Sequence, residues 1–138
     1  MARYSENHDR VKRVVITPEI TRAYWSRPRA FQGEKVTLFV ETARAPDDLE
    51  LTIQIWEDGA DTGDPDGFVA ELEGPHRVKN NRCSKEYTVD FDPETLGREI
   101  ALEGDRFEFY ALVKNEAMKL SARSTLLYVD LHPLSLSS

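Results

Sequence analysis

A loop rich in carboxylates follows one of the two tryptophans of this sequence. From Glu57 to Gly67 it carries five acidic side chains and three glycines. Calcium takes about six to eight oxygen ligands, which closely spaced carboxylates on a flexible loop can supply. The candidate calcium ligands are Asp58, Asp61, Asp64 and Asp66.

The same loop departs from the calcium pattern of helix–loop–helix proteins. Phe68 and Pro75 stand where that pattern requires an Asp or Asn and a Glu. Turn-forming residues of this kind also make solvated connections between strands. We therefore expect a strand connection, with calcium binding as the alternative, and no other cofactor.

The side chains that usually carry catalysis follow no known pattern. No two of His8, His76 and His132 lie two or four residues apart, so they form no local metal motif. There is no Gly-x-Ser-x-Gly nucleophile motif and no glycine-rich phosphate loop. Cys83 is the only cysteine, which excludes an intramolecular disulfide, and we expect it to be partly buried. The sequence predicts a protein that is not an enzyme.

Arginines and aromatic residues are concentrated around one short segment. Arg22, Arg27 and Arg29 flank Tyr24 and Trp25. Arginine and large aromatics dominate the energetics of protein–protein contacts, although a first strand with solvated arginine heads has the same composition. The residues predicted to form an interface are Arg22, Tyr24, Trp25, Arg27, Arg29 and Trp56.

Trp56 belongs to a segment that alternates between apolar and polar residues. It follows Ile55, and successive side chains of a strand point to opposite faces, so Trp56 faces away from the core. It is either an interface residue or a residue covered by the loop after it. With Tyr24 and Trp25, and with the further aromatics Phe31, Phe39 and Tyr110, it could instead form a stacking platform for sugar or peptide.

Alternation with a period of two recurs along the chain and predicts strands. The apolar positions are Val36, Leu38 and Val40; Leu49, Leu51, Ile53 and Ile55; Tyr87, Val89 and Phe91; Phe107, Phe109, Ala111 and Val113; and either Leu126 and Tyr128 or Leu127 and Val129. Turn-forming residues separate these runs, as at Asn80-Asn81, and one helical turn is expected at 93–96. The fold class predicted is all-β, an immunoglobulin-like antiparallel sandwich of two sheets with seven to eight strands.

The chain of 138 residues fits one domain. We expect a flexible tail at 1–10, a single sandwich domain at 11–132 and a short tail at 133–138. No apolar run approaches the roughly 20 residues of a membrane span, and the polar start lacks the apolar segment of a signal peptide. We therefore expect synthesis in the cytoplasm.

The net charge of −7 makes nucleic acid an unsuitable partner. Residues 1–35 carry eight basic and four acidic side chains, whereas 41–73 carries eleven acidic side chains and one basic one. This asymmetry predicts two dissimilar surfaces, suited to head-to-tail contacts or to two different partners.

Several segments, taken in order, resemble one family. They are Ala23–Ser26, Ala30–Leu38, Leu51–Asp58, Phe68–Leu72, Phe107–Val113 and Lys119–Leu127. Together they are similar to the small immunoglobulin-like sandwich domains attached to, or encoded beside, spike and tip proteins of bacterial contractile injection systems, such as type VI secretion. The resemblance covers roughly residues 14–131.

This resemblance implies a non-enzymatic interaction module, acting as an adaptor or structural subunit of a larger assembly. The partners implied are other proteins, such as spike, tail or cargo proteins, and the implied route of export is the contractile apparatus itself. The alternative function is carbohydrate or cell-wall binding, with Trp25, Trp56 or Tyr24 as a stacking platform and calcium as a possible aid.

Overall fold

Ten strands make up the regular structure of the residues that the computed structural model describes, which are 17–59, 66–91 and 106–130. No helix occurs among those residues, so the all-β prediction is confirmed. The strands are β1 (Glu19–Trp25), β2 (Arg29–Phe31), β3 (Lys35–Ala43), β4 (Glu50–Glu57), β5 (Gly67–Glu71), β6 (His76–Arg77), β7 (Arg82–Thr88), β8 (Arg106–Asn115), β9 (Leu120–Arg123) and β10 (Leu127–Asp130). Both predicted tails and the helical turn at 93–96 lie outside the described residues.

The strands form two sheets. The first sheet has the order β1-β3-β7, and the second has the order β2-β10-β8-β4-β5. Two long strands of the second sheet each pair with two short strands in succession. β4 pairs with β5 and then with β6, and β8 pairs with β10 and with β9. These short strands raise the number of strands above the predicted seven to eight.

One pair of strands corrects the prediction of a purely antiparallel sandwich. β2 runs parallel to β10, so the second sheet is mixed. Ser26 still donates its amide to Thr37 O on β3 at 2.8 Å, and Pro28 O already accepts the amide of Tyr128 on β10 at 2.8 Å. The chain thus passes from the first sheet to the second without a hairpin, and its new neighbour runs in the same direction.

The core lies between the sheets and follows the alternation in the sequence. The burial of β3 and β4 alternates residue by residue, because neighbouring side chains of a strand point to opposite faces. On β10 the inward pair is Leu127 and Val129, which decides between the two predicted phases. The largest fully buried side chains are Phe107, Phe109, Leu38, Leu51, Ile53, Ile55, Leu127, Val36, Val40, Val78, Val89 and Val113. Cys83 is also buried, as predicted.

The turn predicted at Asn80-Asn81 is confirmed and has a defined geometry. Both asparagines have positive φ, 51° and 62°, and Lys79 and Arg82 exchange two backbone hydrogen bonds of 2.8 and 3.0 Å. Positive φ at both central residues defines the type I′ turn that matches the twist of the flanking strands. Asparagine suits it because it tolerates the left-handed region better than most residues do.

Candidate interaction site

An aromatic pair lies on the outer face of the second sheet, at its edge strand. Trp56 of β4 is paired in register with Phe68 of β5, and their ring centroids are 5.4 Å apart at an interplanar angle of 76°. Phe68 is 51% exposed, and Trp56 is partly buried. The indole Nε1 of Trp56 donates to Gln54 Oε1 at 3.1 Å. Trp56 therefore faces outward, as predicted, and is partly covered by a residue of the neighbouring strand.

A second group lies beside this pair on the same face. Tyr110 is paired in register with Trp56 across β4 and β8. Its hydroxyl donates to Asp66 Oδ2 at 2.6 Å, and the guanidinium of Arg123 lies 3.7 Å from its ring centroid. We call the surface formed by Trp56, Phe68, Tyr110, Asp66 and Arg123 the tryptophan face.

Hydrogen bonding and burial set the protonation states on the tryptophan face. The pKa of Asp66 is lowered, first by the amide of Gly59, then by the hydroxyl of Tyr110, and last by the charge of Arg123, with partial burial opposing them. The pKa of Tyr110 is raised to about 12, first by burial and then by its bond to Asp66. At neutral pH the pair is a carboxylate accepting from a neutral phenol, which is a positioning arrangement rather than an acid–base one.

The predicted calcium ligands divide between the described and the undescribed parts of the chain. Asp58 and Asp66 are described, whereas Asp61 and Asp64 lie outside the described residues. Both carboxylate oxygens of Asp66 accept bonds from the protein, Oδ1 from the amide of Gly59 at 2.9 Å and Oδ2 from Tyr110. Within the described ranges no group of three or more His, Cys, Asp or Glu side chains could hold a metal. A metal at Asp66 would compete with these two donors.

The structure separates the predicted aromatic platform. Trp25 is 6% exposed, packs against Tyr87 with ring centroids 5.9 Å apart, and donates its Nε1 to Thr125 O at 3.0 Å. Tyr24 lies on the outer face of the first sheet, because neighbouring residues of β1 point to opposite sides. Trp25 is thus a core residue rather than an exposed contact, and Tyr24 and Trp56 lie on different sheets.

The predicted arginines also occupy separate places. Arg22 lies over Tyr24, with 3.9 Å from its guanidinium carbon to the ring centroid. Arg27 forms an ion pair with Glu34 at 3.3 Å, and Arg29 forms one with Asp130 of β10 at 3.1 Å. Arg27 and Arg29 therefore form ion pairs in the region where the chain crosses from the first sheet to the second. They lie apart from the surface around Arg22.

A groove lies on the outer face of the first sheet, around Tyr24. The Tyr24 and Phe39 rings are 5.4 Å apart, and the hydroxyl of Tyr24 donates to Glu41 Oε2 at 3.3 Å. The groove has a volume of about 650 Å³. We call it the basic groove, and its lining residues are Tyr24, Phe39, Val40, Glu41, Arg77, Lys79, Arg82, Cys83 and Ser84.

Sequence reasoning missed several residues of both surfaces. Phe68 and Arg123 lie in segments that carry the family resemblance but were not among the predicted interface residues, and neither were Arg77 and Arg82. One signal was present, since Phe39 interrupts the polar side of an alternating strand, as an outward aromatic does.

In the described part of the chain there is no helix long and apolar enough to cross a membrane.

No protein-family profile and no curated protein matches the sequence. Among solved structures, this chain is similar to Spo0M, a sporulation control protein from Bacillus subtilis, with a TM-score of 0.51 and 12% identity. The match covers 86% of this chain and 51% of Spo0M, so the chain spans about half the length of that structure. At this identity the likeness concerns the fold.

Two weaker matches have lower scores. Superoxide reductase (neelaredoxin) from Ignicoccus hospitalis gives a TM-score of 0.41 and 11% identity, over 88% of this chain and 92% of its own. The alkylpurine DNA glycosylase AlkC from Pseudomonas fluorescens gives 0.39 and 13%, over 82% of this chain and 30% of its own.

Proposed function

We propose that this chain is a non-enzymatic protein-interaction module, an adaptor or structural subunit of a larger assembly. The observation that carries the proposal is the tryptophan face. It places half-exposed Phe68 of the edge strand β5 beside Trp56 of β4, with the guanidinium of Arg123 over the neighbouring Tyr110 ring. Aromatics with an adjacent arginine are the usual content of a binding hot spot.

We further propose that this chain is an immunoglobulin-like domain of a contractile injection system. The support is the resemblance of several strand segments to that family, together with the positions of two of these segments in the fold. The Gly33–Leu38 segment makes the turn into β3, and Ile53–Asp58 lies at the end of β4. The second of these segments contains Trp56, so the resemblance and the tryptophan face coincide on one strand. The partners proposed are spike, tail or cargo proteins.

The test is binding of purified proteins encoded beside this chain, measured with Trp56→Ala and Phe68→Ser variants. Each variant should weaken binding about tenfold or more, as hot-spot truncation does, with little change in melting temperature because both side chains lie on the outer face. Met118→Ala is the matched control, since Met118 is a large apolar residue that is 42% exposed on the turn between β8 and β9. Unchanged binding in both variants would overturn the proposal.

Carbohydrate binding remains the second candidate, favoured by the polar groups at the edge of Trp56. Gln54 accepts from the indole and donates to Glu71 Oε1 at 3.1 Å. An apolar ring with a few placed polar groups is typical of small-ligand sites. A peptidoglycan pull-down with and without chelator distinguishes the two functions. Retention that Trp56→Ala abolishes supports the carbohydrate function, whereas no retention of the folded protein removes it.

A further inference from the structure

The basic groove combines an aromatic floor with positive charge in an otherwise acidic chain. Its lining includes three cationic side chains, Arg77, Lys79 and Arg82, and one carboxylate, Glu41. The whole protein carries a net charge of −7, so this local excess of positive charge runs against the overall composition. A cleft lined by one sign of charge concentrates ligands of the opposite sign.

The groove's only lining carboxylate is already bound within the described structure. Glu41 Oε2 accepts from the Tyr24 hydroxyl and lies 3.9 Å from Arg22 Nη1. Glu41 stands opposite Arg82 in the register of β3 and β7, but its carboxylate is directed to Tyr24 and Arg22 rather than to Arg82.

The arginines of the groove are available to a ligand. Lys79 is bound to Asp48 at 3.1 Å. Glu50 and Glu41 stand opposite Arg77 and Arg82 in the strand registers, but within the described ranges neither arginine forms an ion pair with a carboxylate. Guanidinium groups bind carboxylates with two parallel hydrogen bonds. Arg77 and Arg82 thus present two carboxylate-binding groups on one groove.

The aromatic floor favours an apolar side chain over a sugar ring. One face of Tyr24 is covered by the Arg22 guanidinium at 3.9 Å, and Phe39 packs beside it. The exposed part of the Tyr24–Phe39 pair is therefore a narrow apolar surface rather than an open ring face. The volume of about 650 Å³ lies within the range of ligand clefts.

We propose that the basic groove binds an acidic peptide segment of a partner protein, with an apolar side chain on Tyr24 and Phe39 and carboxylates on Arg77 and Arg82. This site is formed by the first sheet together with β6 and the turn after it, and it shares no residue with the tryptophan face, so it goes beyond the function proposed above. A chain with two such surfaces can connect two partners.

The experiment measures binding of a synthetic peptide in which glutamates flank a single phenylalanine. The Arg77→Glu/Arg82→Glu double variant should bind it at least about tenfold more weakly, and Phe39→Ala should also weaken it. Binding by the parent protein should fall as salt rises from about 50 to about 300 mM, because exposed charges are screened over shorter distances. Trp56→Ala should have no effect, which separates this site from the tryptophan face.

Lys35→Glu/Arg44→Glu is the matched control, since it makes the same charge change on β3 and just beyond it without touching the groove lining. Equal weakening in this control would show a general charge effect and overturn the proposal. Equal affinity for a glutamate peptide that lacks phenylalanine would also overturn the proposal. It would be overturned as well if a sulfated oligosaccharide fully displaced the peptide and still bound to the double variant.

Discussion

At the scale of single residues, the tryptophan face depends on a phenol held between opposite charges. Asp66 precedes β5, Tyr110 lies on β8 and Arg123 ends β9, yet their side chains meet within 3.7 Å. A hydrogen bond to a charged partner is stronger than a neutral one. The short Tyr110–Asp66 bond therefore ties the residue before β5 to β8, next to the β4–β5 register that pairs Phe68 with Trp56.

Tyr110→Phe tests this role of the phenol. Removing the hydroxyl leaves the Asp66 carboxylate without its shortest donor, and we expect a loss of about 1–2 kcal/mol in the free energy of unfolding. Urea denaturation measures it. Tyr24→Phe is the control, because its 3.3 Å bond to Glu41 is longer, and it should cost less. A Tyr110→Phe protein as stable as the parent would contradict this account.

At the scale of elements, the turn between Lys79 and Arg82 joins β6 to β7 and shapes the basic groove. Asn81 does more than adopt positive φ. Its Oδ1 accepts from Thr42 Oγ1 at 3.1 Å and from the amide of Ala45 at 3.0 Å. The side chain thus ties the end of β3 to the turn that carries the groove's cations.

Asn81→Ala should destabilise the protein by about 2–3 kcal/mol, because it loses two hydrogen bonds and places a Cβ-bearing residue without a local acceptor at positive φ. Asn81→Gly loses the same hydrogen bonds, but glycine adopts positive φ readily. Its loss of unfolding free energy should therefore be smaller by about 1 kcal/mol. Asn80→Gly, at the other central position, should be close to neutral. Thermal and urea unfolding measure all three, and equal losses for alanine and glycine would show that φ contributes nothing.

At the scale of the whole molecule, the charge asymmetry of the sequence does not divide the structure into a basic and an acidic half. The described arginines of the first 35 residues each have an acidic neighbour: Arg22 has Glu41, Arg27 has Glu34 and Arg29 has Asp130. The arginines of the basic groove, Arg77 and Arg82, come instead from the middle of the chain. The two surfaces proposed here are thus formed by different residues from those that the asymmetry suggested.

Stability of the whole fold should decline at alkaline pH because two phenols are buried. Burial raises the pKa of both Tyr87 and Tyr110 to about 12, above their ordinary 10.0. A raised pKa favours the neutral form in the folded state, so this contribution is fully present below pH 10 and is lost as pH rises toward 12.

The measurement is a melting temperature at each pH together with the ultraviolet absorbance of phenolate. Two tyrosines should ionise only near pH 12, together with loss of the fold. Tyr110→Phe should reduce the alkaline decline and remove one of the late phenolates. A full phenolate signal reached near pH 10 with an unchanged melting temperature would contradict it.

The sequence alone determined the alternation of β3, β4 and β8, much of the core and the turn at Asn80-Asn81, because these follow from local rules. Alternation sets which side chains of a strand share a face, and the asparagine pair selects its turn. Only the tertiary structure decided which outward residues meet. Trp25, predicted to lie at an interface, entered the core, and Asp66, Tyr110 and Arg123 came together from segments far apart in sequence. Cross-strand register and sheet order arise from long-range pairing, as when the chain leaves the first sheet after β1 and pairs β2 with β10 in the second, and a period of two does not encode them.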